Sequence, residues 1–336
     1  MSRLRGRRRG FWPVVATAGV AFLLPLVLPN ALLTIYVFIG LATMVVAGLS
    51  LLMGLAGQVS LGQGAFYAIG AYTAALLAKR VGLPAVLALA AATAATAGVA
   101  LVVGLPLLRL RGHYLAFGTL AFQLIVLSAI GEARDLTGGD TGLPGIPTIE
   151  GPFKTVLFAY VVWLLALIVL VFNDNLLRSR PGRALRALAT SEAGARAAGV
   201  SVVRAKLQVF ALSAAYAGLA GGVYAFFVSY IAPGSFPILL SIQFLIMATV
   251  GGLGSVWGAA AGATAVFLVV QVLQSLGTAP GMPPRAPVIF SYAVYAVVLI
   301  AIMQLLPQGL VPALQARRRR RWWLKLSAGA DVPGGT

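Results

Sequence analysis

Apolar residues run through this chain in blocks of about 20, separated by short polar or glycine-rich breaks. The blocks fall at roughly 11–29, 31–53, 61–78, 84–105, 113–131, 153–172, 207–230, 236–250, 256–277 and 288–306. A helix of about 20 apolar residues crosses ~30 Å of hydrocarbon. The pattern therefore predicts an all-α polytopic membrane protein with about ten transmembrane helices. Two breaks stand apart from the rest. "GLAGQVSLGQGAFYAIGAY" (Gly54–Tyr72) carries five glycines with Gln58, Ser60 and Gln63, and "MATVGGLGSVWGAAAGA" (Met247–Ala263) carries the second glycine cluster. Without them, spans of double length would run through 41–77 and 241–276. Glycine costs a helix about 1 kcal/mol relative to alanine. Broken backbone at membrane depth persists only where protein buries it or a watery cavity solvates it. Two glycine-interrupted segments, one in each half, point to a translocation route. Its candidate residues are Gln58, Ser60, Gly62, Gln63, Gly64, Gly251, Gly252 and Gly254. Close helix packing competes as an account of the glycines, as in Gly218-x-x-x-Gly222 and Gly258-x-x-x-Gly262.

Composition sharpens this picture. Of 336 residues, 60% are hydrophobic and 10% charged, against roughly 25% charged in a soluble domain. The formal charge of +18 is concentrated. Five arginines (Arg3, Arg5, Arg7, Arg8, Arg9) open the chain, seven basic residues lie between Arg178 and Lys206, and six lie in the tail (Arg317–Arg321 and Lys325). Clusters beside spans mark cytoplasmic faces and contact anionic lipid; nucleic acid is not expected as a partner. With the N-terminus inside, ten crossings put all three clusters on one side. The loop 132–152, with Glu132, Asp135, Asp140 and Glu150 against Arg134, then falls outside. Lys79–Arg80, also outside, is the one mild violation. The basic start followed by an apolar stretch has the form of an export signal. The stretch is long, however, and a second span follows at once, so it reads as an uncleaved first span. The chain thus divides into a basic cytoplasmic N-terminus (1–10), a first transmembrane half of about six spans (11–172), a cytoplasmic loop (173–206), a second half of about four spans (207–306) and a basic cytoplasmic tail (307–336).

Chemistry is sparse. There is no cysteine, and His113 is the one histidine. Thiol chemistry, a thiolate metal site and a histidine-activated nucleophile within the membrane are thereby excluded, and no metal or cofactor is expected. No acidic or basic residue lies within a span away from its ends, whereas ion-coupled transporters usually keep one. The embedded polar groups are Gln123, Gln243, Gln271, Gln274, Gln304 and scattered hydroxyls. Energy for transport, if any is used, is therefore expected from outside the chain, with a backbone-lined sodium site as the alternative.

The 178–206 segment is the other unusual feature. From Pro181, "GRALRALATSEAGARAAG" reads as a short helix ended by Gly199, with Leu185 and Leu188 on one face and Ala189, Ala193 and Ala197 at four-residue spacing. A small alanine-rich helix held at the membrane by arginines such as Arg183 and Arg186 suits a groove on another protein. An ordinary positive-inside loop is the plainer account.

Five blocks carry a family likeness. "GLSLLMGLAGQVSLGQGAFYAIGAYTAALL", "LRLRGHYLAFGTLAF", "TGGDTGL", "SRPGRALRAL" with "AAGVSVVRAKLQVFALSAAYAGLAGGVYA", and "VGGLGSVWGAAAGA" occur in that order between about Leu41 and Gly262. The chain resembles the LivM-type permease subunits of branched-chain amino acid ABC importers. The resemblance implies an inner-membrane importer with a LivH-type partner permease, two cytoplasmic ATPases and an extracytoplasmic substrate-binding protein. It also implies an EAA-like coupling helix in the 178–206 loop, with Glu192, Ala193 and Gly199 as the nearest match and Arg183 and Arg186 beside it. The spacing departs from E-A-A-x-x-x-G, since Gly194 replaces the second alanine and Gly199 lies seven residues after Glu192. No Walker-type G-x-x-x-x-G-K-[ST] occurs, so ATP is expected on the partner subunits. A permease for urea or short amides in the same family, a passive channel for a neutral solute and a non-transporting scaffold remain the alternatives.

Overall fold

The computed structural model describes residues 29–277 except 111, 149, 150 and 152, together with 19, 22, 24 and 25. The predicted span 288–306, the basic ends 1–10 and 307–336, and most of the span 11–29 lie outside the described residues.

The remaining apolar blocks fold as α1 (Asn30–Ala56), α2 (Gln63–Arg80), α3 (Ala85–Leu107), α4 (His113–Glu132), α6 (Lys154–Arg178), α9 (Val202–Val228), α10 (Ile238–Gly251) and α11 (Val256–Gly277). A short α5 (Arg134–Thr137) follows α4, and α7 (Arg180–Thr190) and α8 (Glu192–Ala197) join α6 to α9. Among the described residues, six helical stretches are long and apolar enough to cross a membrane: Leu32–Ala56, Ala85–Leu107, His113–Glu132, Lys154–Arg178, Val202–Val228 and Pro233–Gly251.

The core forms around α9, which packs against α1, α2 and α3, while α1 also carries α6, α10 and α11. α2 is not among the six because Gln63, Tyr67, Tyr72, Lys79 and Arg80 lower its hydropathy. Protein covers it instead: twelve of its eighteen residues are buried. Small residues let it lie backbone to backbone with α9. A Cβ on Gly70 would stand 2.1 Å from the Gly218 carbonyl oxygen, and one on Gly221 1.9 Å from that of Tyr67. Without a hydrophobic drive between helices in lipid, such close van der Waals contact is what holds a pair together.

At one end of the helices, β1 (Leu143–Pro144) pairs antiparallel with β2 (Tyr230–Ile231). Lys79 donates to the Pro144 carbonyl, and Arg80 donates to the carbonyls of Asp135 and, at 3.0 Å, Leu136. The two cations that fit the charge rule poorly are thus spent on holding the 134–144 loop.

Structure shortens the loop expected at 173–206. α6 continues to Arg178 and α9 begins at Val202. Asn173 is fully buried: its Nδ2 donates to the Ala47 carbonyl (3.4 Å), and Tyr216 Oη donates to its Oδ1 (2.7 Å). The single helix expected from Pro181 to Gly199 is two. Ser191 is extended (φ −160°, ψ 119°), and its hydroxyl accepts the Gly194 N–H. Serine competes with the helix for nearby backbone donors, so it starts a new helix and does not continue the old one. Leu185 and Leu188 are both buried, Leu185 in the main core and Leu188 with Ala195 and Val202, whereas Ala189, Ala193 and Ala197 are exposed.

Candidate functional site

The first glycine segment is a complete break. Gly57 closes α1 in the left-handed conformation (φ 63°), and Gln58 N–H reaches back to the Leu52 carbonyl (3.2 Å). A helix that starts inside the protein brings its orphan N-terminal N–H groups with it. Here hydroxyls from distant helices meet them. Leu61 N–H donates to Thr119 Oγ1 of α4 (2.9 Å) and Gly64 N–H to Ser241 Oγ of α10 (2.7 Å). Ser241 Oγ donates in turn to Gln123 Oε1 (2.6 Å), whose amide nitrogen donates to the carbonyls of Phe236 and Pro237. Gln63 Nε2 donates to Ser213 Oγ of α9 (3.1 Å). Gly62 and Gly64 leave no room for more: a Cβ would lie 2.7 Å from the Thr119 carbonyl oxygen or 2.5 Å from Gln123 Nε2.

The second segment meets the first. After α10 the chain turns through Gly252 (φ 105°) and Gly254 (φ 75°). Gly254 N–H donates to Ser50 of α1, at 3.1 Å to its carbonyl and 3.0 Å to its hydroxyl. A Cβ on Gly54 would stand 2.2 Å from the Gly254 nitrogen, and one on Gly251 2.1 Å from the Gly258 carbonyl oxygen. All eight candidate pathway residues therefore lie at or near one junction of α1, α2, α4, α9, α10 and α11. Gln58, Ser60 and Gln63 are buried in it at 3%, 1% and 0% exposure. Among the described residues, Gln58 Oε1 and Gln63 Oε1 have no hydrogen-bond partner. A buried acceptor left so costs about 1–3 kcal/mol.

A cavity of about 900 Å³ opens beneath this junction. Gly57 and Gln58 border it from the break, Leu105, Leu108, Arg109, Leu110, Gly112 and Leu115 from the end of α3 to the start of α4, and Glu192, Ala193, Arg196, Val202, Val203 and Lys206 from α8 and the start of α9. It is where the predicted pathway and the predicted coupling residues come together. Glu192 is already engaged, pairing with Lys206 and, at 3.6 Å, with Arg196. Gly199 (φ 80°) follows α8 with open space around its Cα. Arg183 and Arg186 lie apart on α7, where Arg186 donates to the Leu177 carbonyl.

Residues 31–303 match the family described as "Branched-chain amino acid transport system / permease component". The chain belongs to this family. It is 33% identical to the high-affinity branched-chain amino acid transport system permease protein LivM of Escherichia coli, over 95% of this chain and 75% of that protein. The counterpart LivM of Salmonella typhimurium is 32% identical over 95% of this chain and 74% of its own length. A probable branched-chain amino acid transport permease protein LivH of Methanocaldococcus jannaschii is 26% identical over 82% of this chain and 89% of its own. No solved structure matches. This permease is a multi-pass membrane protein and a transport component, not an enzyme.

The permease's junction also uses groups that the sequence did not single out as site residues: Ser50, Thr119, Ser213 and Ser241. Each is one hydroxyl on an otherwise apolar face. Gln123 was visible as an amide in mid-span, which is the signal the others lacked.

Proposed function

We propose that the permease is one of two membrane-spanning subunits of an ATP-driven ABC importer for branched-chain or related amino acids. The match to LivM proteins over 95% of the chain carries this reading. In it the permease has ten spans in an inner membrane, with both termini cytoplasmic and basic clusters on anionic lipid. A LivH-type permease lies beside it, an extracytoplasmic binding protein delivers substrate, and two ABC ATPases bind the ATP that this chain does not. The five divisions at 1–10, 11–172, 173–206, 207–306 and 307–336 belong to the same proposal. The 179–201 connection, with Arg183, Arg186, Glu192, Ala193 and Gly199, is the ATPase-docking element, and the glycine junction is the moving part of the route.

Two features support the mechanism. α8 and the α1–α2 break face each other across the shared cavity, so a movement of α8 changes the space beside Gln58. The junction is built of neutral amides and hydroxyls, which can pass a zwitterion without holding it as a fixed charge would. Movement between two packings of these rigid helices is the expected form of the switch.

The test is uptake of labelled leucine into proteoliposomes holding the permease with its co-purifying subunits, with binding protein outside and ATP inside. Uptake that needs both ATP and binding protein supports the reading. Leucine flux independent of ATP refutes it in favour of a channel.

A further inference from the structure

Two cavities border the α1–α2 break and α2 at different heights. The cavity of about 900 Å³ meets Gly57 and Gln58, where the break begins. A second, of about 290 Å³, lies nearer the β1–β2 end, between Ile69, Tyr72 and Leu76 of α2, Val126 and Ile130 of α4, and Leu136 of α5. The chain from one to the other carries three of the four buried side-chain atoms that lack a hydrogen-bond partner among the described residues: Gln58 Oε1, Gln63 Oε1 and Tyr72 Oη. Native proteins leave few such atoms, so three along one short stretch call for an account. Water or a polar solute passing between the two cavities would meet all three.

What fills the space between them is aromatic. Phe236 is fully buried, and its ring lies 5.9 Å from Tyr67, 6.1 Å from Tyr72 and 5.9 Å from Tyr224. It therefore packs on the side chain that borders the second cavity and on Tyr67, one helical turn from Gln63. Rings at such separations attract in tilted and edge-on geometries, and an apolar constriction bars polar solutes by excluding water. Phe236 belongs to no long helix. It sits between a 3-10 turn, Pro233–Ser235, and the start of α10. The turn closes on itself, with Phe236 N–H donating to the Pro233 carbonyl (3.1 Å) and Ser235 N–H to that of Ala232 (2.9 Å), and Gly234 has open space around it. Gln123 holds the carbonyls of Phe236 and Pro237 at 3.4 Å each, and its oxygen accepts from Ser241, the hydroxyl that meets Gly64. The aromatic contact and the start of α2 thus depend on one amide.

We propose that Phe236 is the plug of a gate on the β1–β2 side of the glycine junction. In this structure it parts the two cavities. Withdrawal of the 233–237 segment from Tyr67, Tyr72 and Tyr224 joins the second cavity to the junction and exposes the three unpaired atoms to what enters. Because Gln123 touches both the plug segment and the network at the start of α2, release of Phe236 and movement of the break are linked, as a switch between two rigid packings requires. The plug's part in transport rests on the importer reading, while the barrier between the cavities does not.

The chain has no cysteine, so single cysteines placed in it report access without background. The full-length permease is expressed with its partner subunits in bacterial cells, and energy-depleted spheroplasts are treated with a membrane-impermeant methanethiosulfonate. Leu136→Cys, in the second cavity, should be labelled, and Val203→Cys, in the first, only after lysis. Ser213→Cys, beside Gln63 and fully buried, should resist labelling from outside. Adding Phe236→Ala should speed its labelling at least tenfold, whereas Phe236→Tyr, which keeps the ring, should not. Phe158→Ala removes another buried ring, packed on Phe227 and bordering neither cavity, and should leave the rate unchanged. Four results overturn the plug: fast labelling of Ser213→Cys behind an intact Phe236, equal rates with and without Phe236→Ala, equal acceleration by Phe158→Ala, or labelling of Val203→Cys and not Leu136→Cys before lysis. If Phe236→Ala does not reach the membrane, Tyr72→Ala removes the opposing ring and decides in its place.

The part in transport is read separately, as loss of labelled leucine from loaded proteoliposomes without ATP. Loss through Phe236→Ala should be at least fivefold faster than through wild type or Phe158→Ala. Equal loss through all three overturns the gate's part in transport and leaves the importer reading standing. If wild type shows no ATP-driven uptake, the importer reading fails and the labelling result alone decides the plug.

Discussion

Replacing Gly54 by alanine should separate the two glycine segments. The added Cβ would fall 2.2 Å from the Gly254 nitrogen, 2.5 Å from its Cα and 2.8 Å from the Leu253 carbonyl carbon. All three are backbone atoms, so no side chain can swing aside. Overpacking of this kind costs about 1–3 kcal/mol. Moving Gly254 away also strips its N–H from the Ser50 carbonyl and hydroxyl, and a buried unpaired donor adds about 1–3 kcal/mol. The sum is about 2–6 kcal/mol. Gly98→Ala provides the comparison: it lies within α3 with nothing within 4 Å of its Cβ position, and should shift stability by less than about 1 kcal/mol, towards greater stability. Ser50→Ala should fall between, near 1 kcal/mol, because the Ser50 carbonyl still accepts. Denaturant unfolding of the purified permease in detergent, followed by near-ultraviolet circular dichroism, ranks the three. If Gly54→Ala unfolds within about 0.5 kcal/mol of wild type, the backbone contact between the halves is not as described.

Three further outcomes are expected. Ser241→Ala should cost about 2 kcal/mol by leaving the Gly64 N–H unmet, and a double-mutant cycle with Gln123→Leu should show coupling above about 0.5 kcal/mol; additive losses would remove the network. Glu192→Gln should alter stability by less than about 1 kcal/mol, because its ion pairs are half exposed, yet lower ATP-driven uptake several-fold in proteoliposomes; unchanged uptake would count against a coupling role. Arg80→Ala should raise hydrogen exchange across 134–144, whose carbonyls it holds, and leave 180–197 unchanged; equal exchange in both variants would show that the loop holds itself.

The spans were legible because each needs an unbroken run of apolar residues, and little else in a sequence makes one. Gly57 was legible as a break for a related reason: glycine with amides beside it has no use on a lipid-facing helix. Other features were not. The Gly54–Gly254 contact joins positions 200 residues apart, and nothing local in either segment names the other. Ser241 and Thr119 each add one hydroxyl to an apolar block, which reads the same whether the hydroxyl caps a distant helix or its own preceding carbonyl. Ser191 looked like one polar residue within a helix, because its competing N-cap role depends on a backbone angle that periodicity does not record. The burial of Gln63 was also hidden, since a polar side chain at a break reads equally as facing water or facing protein.

The covered position of α2 bears on how the permease is made. Less apolar than the helices on either side of it, this helix gains its main neighbour only with α9, whose first residue follows its last by more than a hundred positions. Each residue joins the growing chain in order, but α2 cannot reach its final surroundings in that order. Its packed position is complete only once α9 is synthesised and its glycine face lies against it. A chain truncated before Val202 should therefore be handled by the cell as an unfinished membrane protein, even with every earlier span complete.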